Sequence, residues 1–156
     1  MSSCGFREGH SLKDYQEPLV KEALQEFELR GKQNVFISLP QGTGKTIIAL
    51  AALSRLINDG KVRRLLILLP RRVLVKQWMD KAQEMFYGIG LMENPTLSKE
   101  SIERIRGYLK HLGAIGIAMT MQSFKNFIKK EYFSEEDFDM VIVDEAADLV
   151  VARDFI

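Results

Sequence analysis

Lys45 and Thr46, reached through the glycine-bearing turn Pro40-Gln41-Gly42-Thr43-Gly44, form the pattern in this chain best suited to chemistry. A turn of that kind between a strand and a helix points several backbone N–H groups to one side, and the helix dipole adds a field that favours an anion. The Lys45 ammonium and the Thr46 hydroxyl then stand where the phosphates of a nucleotide and a Mg²⁺ ion would sit. The match to G-x-x-x-x-G-K-[ST] is incomplete, because Leu39 occupies the first glycine position. Taken alone, the run is equally compatible with a tight turn whose glycines serve only backbone geometry.

A second pattern lies near the other end of the chain. Phe138-Asp139-Met140-Val141-Ile142-Val143 is apolar and β-branched, as a strand covered on both faces should be, and it ends in Asp144-Glu145. The C-terminal tips of parallel strands are where open α/β sheets take their ligands. Asp144 suits Mg²⁺, through water, and Glu145 suits orienting or deprotonating an attacking water. An isolated acidic pair after a strand is more commonly a solvated end or a helix cap. Two independent stretches that supply both halves of one phosphate-transfer site make nucleotide chemistry the stronger reading.

Such residues need a scaffold, and the apolar periodicity supplies one. Pro18 can open a helix with Leu19, Val20, Ala23, Leu24 and Phe27 on its inner face, closed by Gly31. Val35 to Leu39 reads as a buried strand and Ile47 to Ile57 as an apolar helix, followed by the turn Asn58-Asp59-Gly60. Leu65 to Leu69 is a second buried strand, closed by Pro70. Arg71 to Tyr87 reads as a helix with Val75, Trp78, Met79, Ala82 and Phe86 inward. A further helix is expected from about Ser98 to Leu112, a strand from Ala114 to Met119, and a short helix near Gln122 to Lys130. Strands alternating with helices predict a parallel, doubly wound α/β sheet with right-handed connections.

The 156 residues, 46% hydrophobic and 28% charged, suit one globular domain. A formal net charge of +1 excludes a polyanion-binding tail, so any nucleic-acid affinity must come from a local patch. The single Cys4 permits no internal disulfide and fits a reducing compartment, cytoplasmic or, in a eukaryote, nuclear. Residues Met1 to Ser11 are polar and expected to be flexible. No apolar run approaches the roughly 20 residues of a membrane span.

Five stretches stand in order: Leu12-Lys13-Asp14-Tyr15-Gln16, Leu39 to Thr46, Leu68 to Trp78, Thr120-Met121-Gln122-Ser123-Phe124, and Val143-Asp144-Glu145-Ala146-Ala147. In that order they resemble the adenine-reading motif and motifs I, Ia, Ib and II of the first RecA-like domain of superfamily 2 helicases and translocases. The flavour is DEAH-like, related to restriction-enzyme motor subunits and to Hef or RIG-I-like helicases. The family often lacks the first glycine that Leu39 replaces.

The resemblance implies ATP and Mg²⁺ as cofactors. Gln16 reads the base, Gln41 to Thr46 hold the phosphates, and Thr46 and Asp144 hold the metal, with Lys45, Asp144 and Glu145 as the catalytic set. It implies nucleic acid as partner, DNA ahead of RNA, through Arg71, Arg72 and Thr120. Lys125, Lys129 and Lys130 read better as a solvated helix face, and Trp78 as core. Ala147 replaces the usual His or Asp, which puts coupling between sites in doubt. Residues 12–156 then make the N-terminal part of a RecA-like domain truncated after motif II, without the second RecA-like domain. By resemblance a motif III strand inserts between the phosphate-loop strand and the acidic strand, so this chain is expected to lack a central strand and to bind nucleotide with negligible turnover. Two other classes remain open: a P-loop phosphotransferase, and a degenerate ATPase kept as an interaction module.

Overall fold

The computed structural model describes residues 4–29, 35–39, 45–93, 100, 103, 104, 107, 115–131 and 137–144. In chain order the elements are β1 (Gly5–Phe6), α1 (Glu17–Leu29), β2 (Val35–Leu39), α2 (Lys45–Asn58), β3 (Arg64–Leu69), α3 (Arg72–Met85), β4 (Phe86–Tyr87), β5 (Gly90–Glu93), β6 (Ile115–Thr120), α4 (Met121–Lys129) and β7 (Met140–Asp144). Residues 100, 103, 104 and 107 are helical, inside the helix expected there, and the rest of that range lies outside the described residues.

Five strands form one sheet in the order β2-β7-β3-β6-β5, with every pairing parallel. A wholly parallel sheet must be covered on both faces, and β3 shows how its apolar run achieves this. Leu65, Ile67 and Leu69 join a core with Val20 of α1, Leu50 and Leu53 of α2, and Val75 and Trp78 of α3. Leu66 and Leu68 point the other way, into a core with Phe124 and Phe127 of α4 and with Phe138, Val141 and Val143. The side-chain period of two thus splits one uninterrupted apolar strand between two layers. This is the RecA-like α/β architecture.

Gly116 sits between two neighbours, paired with Leu65 on one side and Leu91 on the other. A Cβ there would come within 2.6 Å of Leu91 Cδ2 and 3.3 Å of Leu65 Cβ. Glycine thus leaves the Leu91 and Leu65 side chains room to close over β6, beside β5, a strand that periodicity does not announce.

At the N-terminal ends of the strands Asp139 links β3 to β7. Its Oδ2 accepts from the backbone N–H of Arg63 (2.9 Å) and Arg64 (3.0 Å), and its Oδ1 accepts from Arg64 Nη2 at 2.8 Å. The Asp139 N–H in turn donates to the Arg64 carbonyl. Burial disfavours the charged carboxylate, but the hydrogen bonds from Arg64 and Arg63 outweigh it and hold the Asp139 pKa below its ordinary value.

Two expectations differ from what is found, and one gap is closed. The strand that the resemblance places between β2 and β7 is expected to be missing from this chain, and without it the two are hydrogen-bonded neighbours along all five residues of each, from Val35↔Met140 to Leu39↔Asp144. Both are five-residue strands, so direct pairing satisfies their facing backbone groups. The segment expected to be loose is anchored from Cys4 onward. Cys4 N–H donates to Asn58 Oδ1 at 2.9 Å, Asn58 Nδ2 returns a bond to the Cys4 carbonyl at 2.8 Å, and the buried thiol donates to the Ser54 carbonyl. Gly5–Phe6 pairs antiparallel with Phe86–Tyr87, and Phe6 packs on Phe86 with ring centroids 4.4 Å apart. That pairing also ends α3 at Met85 rather than at Tyr87: Phe86 is extended (φ −126°, ψ 153°), and Gly88 (φ 82°) turns the chain onward.

Candidate functional site

Sheet register determines what meets at the C-terminal edge. Ser38 of β2, Val143 of β7, Leu68 of β3 and Met119 of β6 form one row across four adjacent strands. One residue further on stand Leu39, Asp144, Leu69 and Thr120, with Leu39 paired to Asp144 and Leu69 to Thr120. At about 4.8 Å per strand, the whole row spans about 14 Å from Leu39 to Thr120. The strand leading to the phosphate-type loop and the strand carrying the acidic pair are therefore adjacent.

Three helices begin at this edge. Lys45 and Thr46 open α2, whose first turn carries no acidic residue, and Thr46 is half-buried. Arg71 occupies the cap position of α3 in extended backbone, makes no side-chain cap, and is exposed, as is Arg72 at the first helical position. The helix dipole opposes both cations, and among the described residues neither guanidinium forms an ion pair. Such groups suit an external polyanion. Thr120 caps α4: its Oγ1 accepts from the Ser123 N–H at 3.2 Å and donates to Ser123 Oγ at 3.1 Å. Its hydroxyl already has a structural task, which the sequence reading did not foresee.

Gln16 is the predicted site residue whose surroundings are most informative. Its carbonyl accepts from Val20 N–H at 3.0 Å, so α1 starts on it. The residue is only 3% exposed, although a glutamine preceding a helix is ordinarily a surface group. Its Oε1 accepts from the Lys13 N–H at 2.9 Å. Among the described residues its Nε2 amide has no acceptor, which leaves two donors and one further lone pair available.

Glu17, the next residue, bonds Arg55 at 2.8 Å and ties the start of α1 to the last turn of α2. From residue 45 to residue 55 the helix rises about 15 Å, so this pair lies at the opposite end of α2 from Lys45 and Thr46. Nothing in the sequence marks this pair, whose members lie 38 positions apart. The arginine hydrogen bond holds the Glu17 carboxyl below its ordinary pKa.

Gln41, Gly42, Thr43, Gly44 and Glu145 lie outside the described residues, as do the side chains of Lys45 and Asp144. Trp78 is core, 2% exposed. Among the described residues no three His, Cys, Asp or Glu side chains cluster as metal ligands, and no helix is long and apolar enough to cross a membrane.

Residues 9–149 match the family described as type III restriction enzyme, res subunit. Over 143 residues, 86% of this chain, the sequence is 27% identical to the type I restriction enzyme EcoKI endonuclease subunit of Escherichia coli (strain K12). The chain spans 11% of the length of that curated relative. Among solved structures, a nuclease-deletion mutant of the type ISP restriction-modification enzyme LlaGI, in complex with a DNA substrate mimic, has a similar fold. The TM-score is 0.61 at 16% identity, over 88% of this chain and 18% of that one.

Proposed function

The chain belongs to the family of the type III restriction enzyme res subunit, and from that premise we propose that it is the ATP-binding part of a nucleic-acid-dependent motor that works on DNA. The observation carrying this reading is the shared edge: Leu39, Asp144, Leu69 and Thr120 end four adjacent strands, each at the head of a stretch that could serve nucleotide or phosphate backbone. The DNA substrate mimic bound to the LlaGI enzyme supports DNA over RNA.

The residues take the following roles. Lys45 neutralises the β- and γ-phosphates, and the backbone of Gln41 to Thr46 surrounds them. By resemblance Gln16 reads adenine; here its side chain is buried, near the end of α2 opposite Lys45. Thr46 and Asp144 would hold Mg²⁺, an ion that commonly keeps few protein ligands beside substrate phosphates and water. When bound, Mg²⁺ supplies charge neutralisation on the phosphates. Glu145 holds and deprotonates the attacking water. Arg71 and Arg72 contact nucleic-acid phosphates without reading bases.

An arginine finger contributes about 10³–10⁵ in rate to such enzymes. By resemblance it comes from a second RecA-like domain, so these 156 residues alone bind nucleotide and turn over negligibly. A steady-state ATPase assay showing robust turnover by the purified chain would contradict that. Titration with Mg·ATP is the direct test. Lys45→Ala weakens binding and Glu145→Gln spares it; equal loss in both variants would remove the assigned roles. A second reading, a partner-binding module that has lost its chemistry, draws on Ala147, and an unmodified chain that binds no nucleotide would favour it.

A further inference from the structure

Resting on the reading of Arg71 and Arg72 as phosphate contacts, we propose that Val73 sets the preference of this edge for DNA over RNA, by presenting methyl groups where a ribose would bring its 2′-hydroxyl. Among the described residues three large apolar side chains stand well exposed: Tyr15 (54%), Val73 (56%) and Tyr87 (42%). Each tyrosine has a phenol hydroxyl to give to water, whereas the Val73 side chain has no polar atom. Val73 lies in the first turn of α3, on the side away from the buried stripe of Val75, Trp78, Ala82 and Met85. A β-branched residue in that place gains nothing from helix propensity and nothing from burial.

Its neighbours are cations. Arg71 and Arg72 precede it, and Lys76 stands one helical turn, about 5.4 Å, beyond Arg72 on the same side. All three are exposed, and among the described residues none of them forms an ion pair. Arg72 and Lys76 can hold successive phosphates of one strand, and the sugar between those phosphates then lies against Val73. A 2′-hydroxyl brought there gives up water and finds no partner, while the C2′ methylene of deoxyribose packs on the methyl groups. Thr120, on the neighbouring strand, offers no substitute: its Oγ1 accepts from the Ser123 N–H and donates to Ser123 Oγ, so its proton is committed. Gln77, the polar neighbour on this face, stands a turn further from the strand ends.

The test is fluorescence anisotropy of the full chain with labelled single-stranded DNA and RNA of identical mixed sequence, at one salt concentration, for the unmodified chain, Val73→Thr and Arg72→Ala. Threonine keeps the shape of valine and adds the missing hydroxyl, and at an exposed position the change disturbs no packing. The unmodified chain binds DNA more tightly than RNA. Val73→Thr narrows that preference about two- to tenfold through tighter RNA binding, the worth of one hydrogen bond. Arg72→Ala weakens binding of both strands by the same factor, because phosphates are common to both. An unmodified chain that prefers DNA, with a Val73→Thr variant that keeps the same ratio, overturns the role of Val73 and leaves the phosphate contacts standing. Equal affinity of the unmodified chain for the two strands overturns it as well. An unmodified chain that binds neither strand overturns the nucleic-acid reading of this edge along with it.

Discussion

Replacing Asp139 tests how the fold sets the site. Its carboxylate joins the start of β3 to the start of β7, and β7 carries Asp144 at its far end. Asp139→Ala leaves the Arg63 and Arg64 N–H groups without this acceptor and removes one ion pair from a guanidinium that is 31% exposed. An orphaned, partly buried donor costs about 1–3 kcal/mol, and the exposed fraction of the ion pair adds about 0–1. A loss near 2 kcal/mol is expected, a drop of about 4–8 °C in melting midpoint for a domain of this size. Asp139→Asn keeps one acceptor and should lose about half as much.

The pH dependence has a definite sign. The folded pKa of Asp139 lies below its unfolded value, so its contribution is complete above about pH 4 and lost as pH falls through the folded value. Asp139→Ala should accordingly flatten the acid limb of the stability curve. Urea melts at pH 7 and pH 3 on both chains measure this. A difference below about 0.5 kcal/mol at pH 7, or an equal difference at both pH values, would refute the account of this carboxylate.

Gly116→Ala should destabilise by about 1 kcal/mol, because the Leu91 methyl can swing aside while the core residue Leu65 must give; a stabilised melt would refute that contact. Arg71→Ala and Arg72→Ala should each lower the slope of log affinity for DNA against log salt by about 1, read by fluorescence anisotropy, with an unchanged slope refuting phosphate contact.

Much of the architecture was legible because it is written locally. The alternation of apolar strands with amphipathic helices announced β2, α2, β3, β6, α4 and β7 to within a residue or two, and the order of motifs announced the family. The short strands were not legible. Gly5–Phe6 and Phe86–Tyr87 are two residues each, too short for periodicity, and exist only because each supplies the other's hydrogen bonds. Thr120 as a cap was discoverable from the hydroxyl ahead of Ser123 and Phe124, whereas the burial of Gln16 was not, since a polar residue before a helix reads as exposed.

Composition and spacing thus determined that this chain makes a parallel α/β sheet, with Lys45 and Thr46 after β2 and Asp144 at the end of β7. Strand order, the direct pairing of β2 with β7, and the link from Glu17 to Arg55 were decided only by tertiary structure. Backbone preference and apolar period act over a few residues. Which strand lies beside which depends on closing contacts between positions tens to a hundred residues apart, where only the packed chain makes the choice.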